Sequence, residues 1–258
     1  MLTLHITAHA LHKEGTESRH CEDAYAYDAA KGLAAIADGA SDAFEAGAWA
    51  RLLVTTFIHN PPADDPAALA DWVAGPARAW NASLRWEEMA WYADQKAREV
   101  GGLATLLGFH LEKDAPLPGM WHALAVGDAC LLHLRNRAVL TRFPIDDASA
   151  FDATPTLLST HARHNETLQD GEDIQVMYGS CRAGDIFLMA TDALAEWLYT
   201  IPHLHDANSD LPDWHTLTTL LEEDFEAVID QLRTHHALRN DDVTLLVLRV
   251  LETDEAPA

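Results

Sequence analysis

Carboxylates in this sequence fall repeatedly at the ends of apolar runs. Glu22-Asp23 precede the run 24–27, Asp38-Gly39 follow 33–37, and Gly127-Asp128 follow the run that ends at Val126. Thr191-Asp192 follow the run ending at Ala190, and Asp241-Asp242 precede the one beginning at Val243. A single acid in such a place usually makes a turn or caps a helix. Five such places in one chain suggest side chains that leave the core together and meet a cation. Donor sets made only of oxygen suit Mg²⁺ or Mn²⁺, which take octahedral shells of carboxylate, carbonyl and water. A glycine beside a ligand, as in Asp38-Gly39, lets a backbone carbonyl approach the ion. Two such ions about 3.5–4 Å apart share a water, lower its pKa and present it in line with a bound phosphate, so that hydrolysis needs no covalent enzyme intermediate.

The elements that must position these acids can be read from periodicity. Residues 2–8 alternate apolar and polar as a strand with one wet face does, and the runs 24–27 and 33–37 flank Lys31-Gly32 as a hairpin. Apolar residues recur at helical spacing over 44–58 and 66–100, with a break predicted at Gly75-Pro76. Trp49, Trp72, Trp80, Trp86 and Trp91 lie in these stretches, at spacings that mostly suit the inner face of a helix layer. After Gly101-Gly102 the pattern turns to strands, at 103–111, 120–126, 130–134, 138–142, 174–179 and 185–190. A helix from Leu194, another over 217–232 and a last strand over 243–250 follow. The polar segment 144–173 reads as a mobile flap or excursion. This order predicts an α+β layered domain rather than alternating βαβ units. Residues 1–252 form one domain in this reading, and 253–258 a short frayed tail.

Bulk properties narrow the function. With 41 acidic against 17 basic residues the net charge is -24, a surface that repels nucleic acid and anionic lipid. No apolar stretch reaches the 18 or so residues that cross a bilayer, and the N-terminus lacks a secretory pattern, so a cytoplasmic protein is expected. Cys21, Cys130 and Cys181 form no C-x-x-C pair and read as reduced thiols. Fifteen histidines include the close pairs His161/His164 and His203/His205, but there is no H-E-x-x-H, and neither a G-x-S-x-G elbow nor a P-loop is present.

In order along the chain, Cys21-Glu22-Asp23-Ala24, Ala37-Asp38-Gly39-Ala40-Ser41, Gly101-Gly102-Leu103-Ala104-Thr105, Val126-Gly127-Asp128, Ala190-Thr191-Asp192 and Asp241-Asp242-Val243-Thr244 resemble the type 2C metal-dependent protein phosphatases. The resemblance spans roughly residues 5–250. It implies a four-layer α-β-β-α sandwich, a central antiparallel β-sandwich flanked by helix pairs, with two or three Mn²⁺ or Mg²⁺ ions. Carried across by position, Asp38 bridges two ions and the Gly39 carbonyl binds one of them. Glu22 serves the second ion, directly or through water. Asp192 and Asp241 complete the first, and Asp128 matches the place of a third, weaker metal. Asp23 and Asp242 stand behind the ligands. The family's phosphate-binding arginine is replaced by Ser18, which leaves Arg19, one residue away, as the candidate for that task. Ser-Asp-Gly has become Thr191-Asp192-Ala193, and Asp242 occupies a place where Asn is common.

The activity implied is hydrolysis of phosphoserine and phosphothreonine in proteins, in opposition to a Ser/Thr kinase. Two alternatives stand beside it. One is a weak or silent phosphatase-like domain that binds a regulatory partner, motivated by the displaced arginine. The other is a phosphatase for small phosphomonoesters. Retention of Glu22, Asp38, Asp128, Asp192 and Asp241 weighs against silence, because close carboxylates repel one another without a cation.

Overall fold

Alternation along the strands decides the layering. In the last strand Val243, Leu245 and Val247 face one way and Leu246, Leu248 and Val250 the other, and both rows are buried. A strand buried on both faces needs a covering layer on each. The computed structural model describes residues 1–253 other than 64–65, 114, 116, 137, 153, 172 and 201–213. Its elements are β1 (Leu2–Leu11), β2 (Ala24–Asp28), β3 (Leu33–Ala37), α1 (Ala46–His59), α2 (Pro66–Ser83), α3 (Trp91–Glu99), β4 (Leu103–Ala104), β5 (Leu106–Leu111), β6 (Met120–Val126), β7 (Cys130–Arg135), β8 (Ala138–Phe143), β9 (Leu158–Ser159), β10 (Gln175–Ser180), β11 (Ile186–Ala190), α4 (Asp192–Thr200), α5 (Trp214–Thr219), α6 (Glu222–Thr234) and β12 (Val243–Glu252).

Two five-stranded sheets form the centre, ordered β1-β12-β11-β7-β8 and β10-β6-β5-β3-β2, with every pairing antiparallel. Between them pack Ile6, Ile36, Phe109, Trp121, Phe187 and Leu248. On the outer face of the second sheet, Ala35 and Ala37 of β3 meet Trp49, Leu53 and Phe57 of α1, with Leu69 and Trp80 of α2 in the same core. On the outer face of the first, Leu245 and Val247 meet Leu194 and Leu198 of α4 and Phe225 and Ile229 of α6. The chain therefore forms the expected α-β-β-α sandwich. Small residues let α1 lie close: a Cβ on Gly108 would fall 2.2 Å from Cε2 of Phe57.

Four readings change in detail. The helix α2 runs through Gly75-Pro76 instead of breaking there. An internal proline removes one helical hydrogen bond and disfavours the helix by about 3 kcal/mol, but Leu69, Val73 and Trp80 lie on the face that buries Pro76 and their packing overrides it. The helix expected over 217–232 is two, α5 and α6, separated at Leu220–Leu221, where Leu221 is extended. Trp49 and Trp80 are core residues, whereas Trp91 stands exposed at the start of α3. The segment 144–173 is an excursion tied down by the β4–β9 pair and by Asn165, whose amide brackets the Ser159 backbone. Residues 254–258 of the expected tail, and the pair His203/His205, lie outside the described residues.

Candidate metal centre

Antiparallel register brings the acidic strand ends together. Ala24 pairs with Ala37, so Asp23 at the start of β2 neighbours Asp38 at the end of β3. Ile36 pairs with Leu107 and Leu106 with Val126, which carries Asp128 to the same edge of that sheet. In the other sheet Ala190 pairs with both Leu245 and Cys130, and Leu11 with Val243. Asp192, Asp241 and the segment after β1 thus share one end of the sandwich with Asp128.

Local bonds fix this end. Thr105 holds Asp38 on both sides, its N–H donating to the Asp38 carbonyl (2.8 Å) while its Oγ1 accepts from the Asp38 N–H (3.0 Å). The Gly39 N–H donates to the Glu22 carbonyl (3.2 Å), and a Cβ on Gly39 would lie 2.8 Å from the Ala46 carbonyl carbon, so only glycine fits this crossing. Asp242 is buried and acts as a clip. Its Oδ1 accepts the Lys13 N–H (2.8 Å) and its Oδ2 the Glu22 N–H (2.7 Å), joining the end of β1 to the segment before β2. Asp23 accepts from Thr191 Oγ1 (2.8 Å), and that same Oγ1 accepts the Thr244 N–H (2.9 Å).

Charge is concentrated here. Burial, with Asp23, Asp128 and Asp241 as like-charged neighbours, pushes the Asp38 carboxyl well above its ordinary range, against the pull of Arg239. Burial raises Asp23 to about 7 despite the hydroxyls of Thr191 and Thr244, with Asp242 and Asp241 adding to the rise. Burial also raises Asp128, with its own backbone and Arg239 acting in the opposite sense. An all-oxygen group of mutually repelling acids suits a hard divalent cation in donor type and in field. Its side chains are not gathered into a shell: among the described residues no three His, Cys, Asp or Glu converge closely enough to hold an ion.

Two basic residues that the sequence reading passed over pair with these acids instead. Arg239 Nη2 donates to Asp192 Oδ2, and its Nε lies 3.8 Å from Asp241 Oδ2. Lys13 Nζ lies 3.3 Å from Glu22 Oε2, which also accepts from Ser41 Oγ at 2.5 Å. Burial acts to lower the Lys13 ammonium, but Glu22, Asp242 and Asp241 together hold it above its usual value. Both basic residues flank strand ends, Lys13 after β1 and Arg239 before β12, which was the only signal available. Arg19 sits in a 3₁₀ turn over Ser18–His20, its side chain 72% exposed and paired with Glu17 at 2.8 Å. His161 and His164 have ordinary roles, bonded to the Ala97 carbonyl and to Ser159 and Arg163. All three cysteines are free thiols.

No family model matches the sequence, and no curated protein matches it. Solved structures do match in fold. The catalytic domain of the serine/threonine protein phosphatase PstP, in complex with two manganese ions, superposes with a TM-score of 0.57 at 19% identity, covering 98% of this chain and 100% of that one. PppA, a regulatory component of the type VI secretion system in Pseudomonas aeruginosa, gives 0.59 at 18%, over 97% and 100%. The PPM Ser-Thr phosphatase MsPP of Mycobacterium smegmatis, bound to cacodylate, gives 0.56 at 16%, over 97% and 99%. The chain has the fold of the PPM phosphatases, as the motif resemblance implied. Among the described residues, no helix is long and apolar enough to cross a membrane.

Proposed function

We propose that this chain is a Mn²⁺- or Mg²⁺-dependent protein phosphatase that hydrolyses phosphoserine and phosphothreonine, with residues 1–252 as its catalytic unit. The observation that carries the reading is the strand register, which brings the backbone positions of Asp38, Asp128, Asp192 and Asp241, from both sheets, to one end of a sandwich with the PPM fold. Asp38 would serve both ions in this proposal, with the Gly39 carbonyl as a further donor. Glu22 would hold the second ion, Asp192 and Asp241 the first, and Asp128 a third. Cations held there would supply positive charge for the phosphate oxygens and would acidify a water. The chain's own part is positional. Thr105 fixes the Asp38 backbone, Asp242 sets the approach of the Glu22 segment, and Asp23 backs the centre through Thr191.

Manganese in the PstP catalytic domain supports the choice of metal, and the likeness in fold to the serine/threonine phosphatases PstP and MsPP supports a phosphoprotein substrate, for which a Ser/Thr kinase would be the counterpart. One observation favours the second reading, a non-hydrolysing domain that binds a partner: Arg239 occupies Asp192 and Asp241. Purified protein assayed on an aryl phosphate and on phosphopeptides, with and without Mn²⁺, with metal binding followed by calorimetry, decides between them. Mn²⁺-dependent release of phosphate from phosphopeptides is expected. Metal binding without turnover on any substrate would establish the silent domain, and turnover of small esters alone would make it a phosphomonoesterase.

A further inference from the structure

Arg239 spreads one guanidinium over three acids. Nη2 bonds Asp192, Nη1 lies 3.6 Å from Glu196 Oε2, and Nε lies 3.8 Å from Asp241 Oδ2. Two of these acids are the ones that the proposed function assigns to the first ion, while Glu196, one turn along α4, is not among its ligands. The backbone around Arg239 is pinned: the Asp241 N–H donates to the Arg239 carbonyl (3.0 Å), Asn240 Oδ1 accepts the Glu14 N–H (2.8 Å), and Arg233 Nη2 donates to the Asp241 carbonyl (2.7 Å). The side chain is freer, being 41% exposed. Beside it opens a cavity of about 630 Å³ lined by Glu14, Glu196, Thr200, Arg233, His236 and Asn240, with Arg239 itself on its wall.

We infer that Arg239 is a positioning residue that stands in for the first cation, holding Asp192 and Asp241 while no ion is bound and leaving them for Glu196 and the adjoining cavity when an ion arrives. This rests on the metal assignment proposed above. Three acids crowded at the end of a strand and the start of a helix repel one another, and a guanidinium fork answers that repulsion with geometry as well as charge. A group that must leave before the ion binds lowers the ion's apparent affinity by the fraction of time it occupies the site. The sign of its removal is therefore distinctive. Loss of a residue that merely props up the ligands weakens metal binding, whereas loss of a competitor tightens it.

The test is calorimetric titration of the full chain with Mn²⁺, comparing wild type, Arg239→Gln and Arg239→Lys, with the melting temperature of each metal-free protein recorded alongside. Arg239→Gln should bind Mn²⁺ roughly three- to tenfold more tightly, the scale of a half-exposed ion-pair network. Arg239→Lys should fall between the two, because an ammonium keeps the charge and loses the fork. The metal-free glutamine variant should melt lower than wild type. If wild type binds Mn²⁺ and Arg239→Gln binds no more tightly, Arg239 is not a competitor and the inference is overturned, while the phosphatase reading stands. If only the glutamine variant binds Mn²⁺, the inference is upheld and the native chain loses its claim to metal-dependent catalysis. Binding by none of the three overturns both.

Discussion

At Asp38 the proposed bridging role and the crowded field make a joint prediction. No other carboxylate is assigned to both ions, so Asp38→Asn should weaken Mn²⁺ binding by more than about tenfold, the floor set by losses around metal sites, and reduce turnover with it. Calorimetry and phosphate release read the two effects. Asp128→Ala should retain two ions and lower kcat, and loss of all binding there would redistribute the ligands. Asp242 makes a different claim, because both of its oxygens accept backbone N–H groups. Asp242→Asn must turn an amide NH₂ toward one of those donors, which should destabilise the fold by about 1–3 kcal/mol, measured by urea unfolding in the absence of metal. For Arg19, exposed and paired with Glu17, the proposed phosphate contact is read by Arg19→Ala. If the contact exists, kcat/KM falls very roughly 10- to 150-fold with metal affinity unchanged, and unaltered kinetics on phosphopeptides removes Arg19 from the site.

Elements carry their own electrostatics away from the metal centre. Asp185, at the head of β11, lies buried beneath Arg135, whose Nε and Nη2 donate to it at 2.8 and 2.7 Å, while His133 Nε2–H (3.0 Å) and the Arg182 N–H (3.0 Å) complete its bonds. Burial acts to raise this carboxyl, but these donors together bring it from 3.8 down to about 2. A carboxyl depressed on folding contributes stability above its unfolded value and loses that contribution as pH falls toward its folded one. Asp185→Asn should accordingly be about 3 kcal/mol less stable than wild type at pH 7. That gap should close as pH falls from 3.8 to about 2, which denaturant titrations at stepped pH would show; a gap independent of pH would mean that the loss is one of packing. Strands such as β3 and β12 were legible in the sequence because short unbroken apolar runs with acidic ends are local signals, as expected of strands buried on both faces. Pro76 misled because the buried stripe of Leu69, Val73 and Trp80 is a tertiary fact. Arg239 gave no periodic signal at all: its partners come from α4 and from Asp241 just before β12, and only the register of β11 on β12 brings those two together.

Seen as a whole, the molecule carries a net charge of -24, and its candidate centre is itself acidic. A field of one sign reaches beyond any single pair, and at about 0.1 M ionic strength it still acts over about 10 Å. It attracts cations to the site and disfavours approach by an anionic phosphate, so a substrate gains from bringing positive charge of its own. Phosphopeptides flanked by Lys or Arg should therefore show kcat/KM several-fold above sequence-matched peptides flanked by Asp or Glu, roughly tenfold at low salt, because opposite charge raises encounter rates. Steering is screened by salt whereas contacts at the reacting group are not, so the preference should shrink as ionic strength rises and should appear mainly in KM. The measurement is kcat and KM for the two peptide series in Mn²⁺ buffer at stepped concentrations of a monovalent salt. A preference that persists undiminished at high salt would place the discrimination in a specific pocket, and no preference at low salt would show that bound cations have already cancelled the field where the substrate enters.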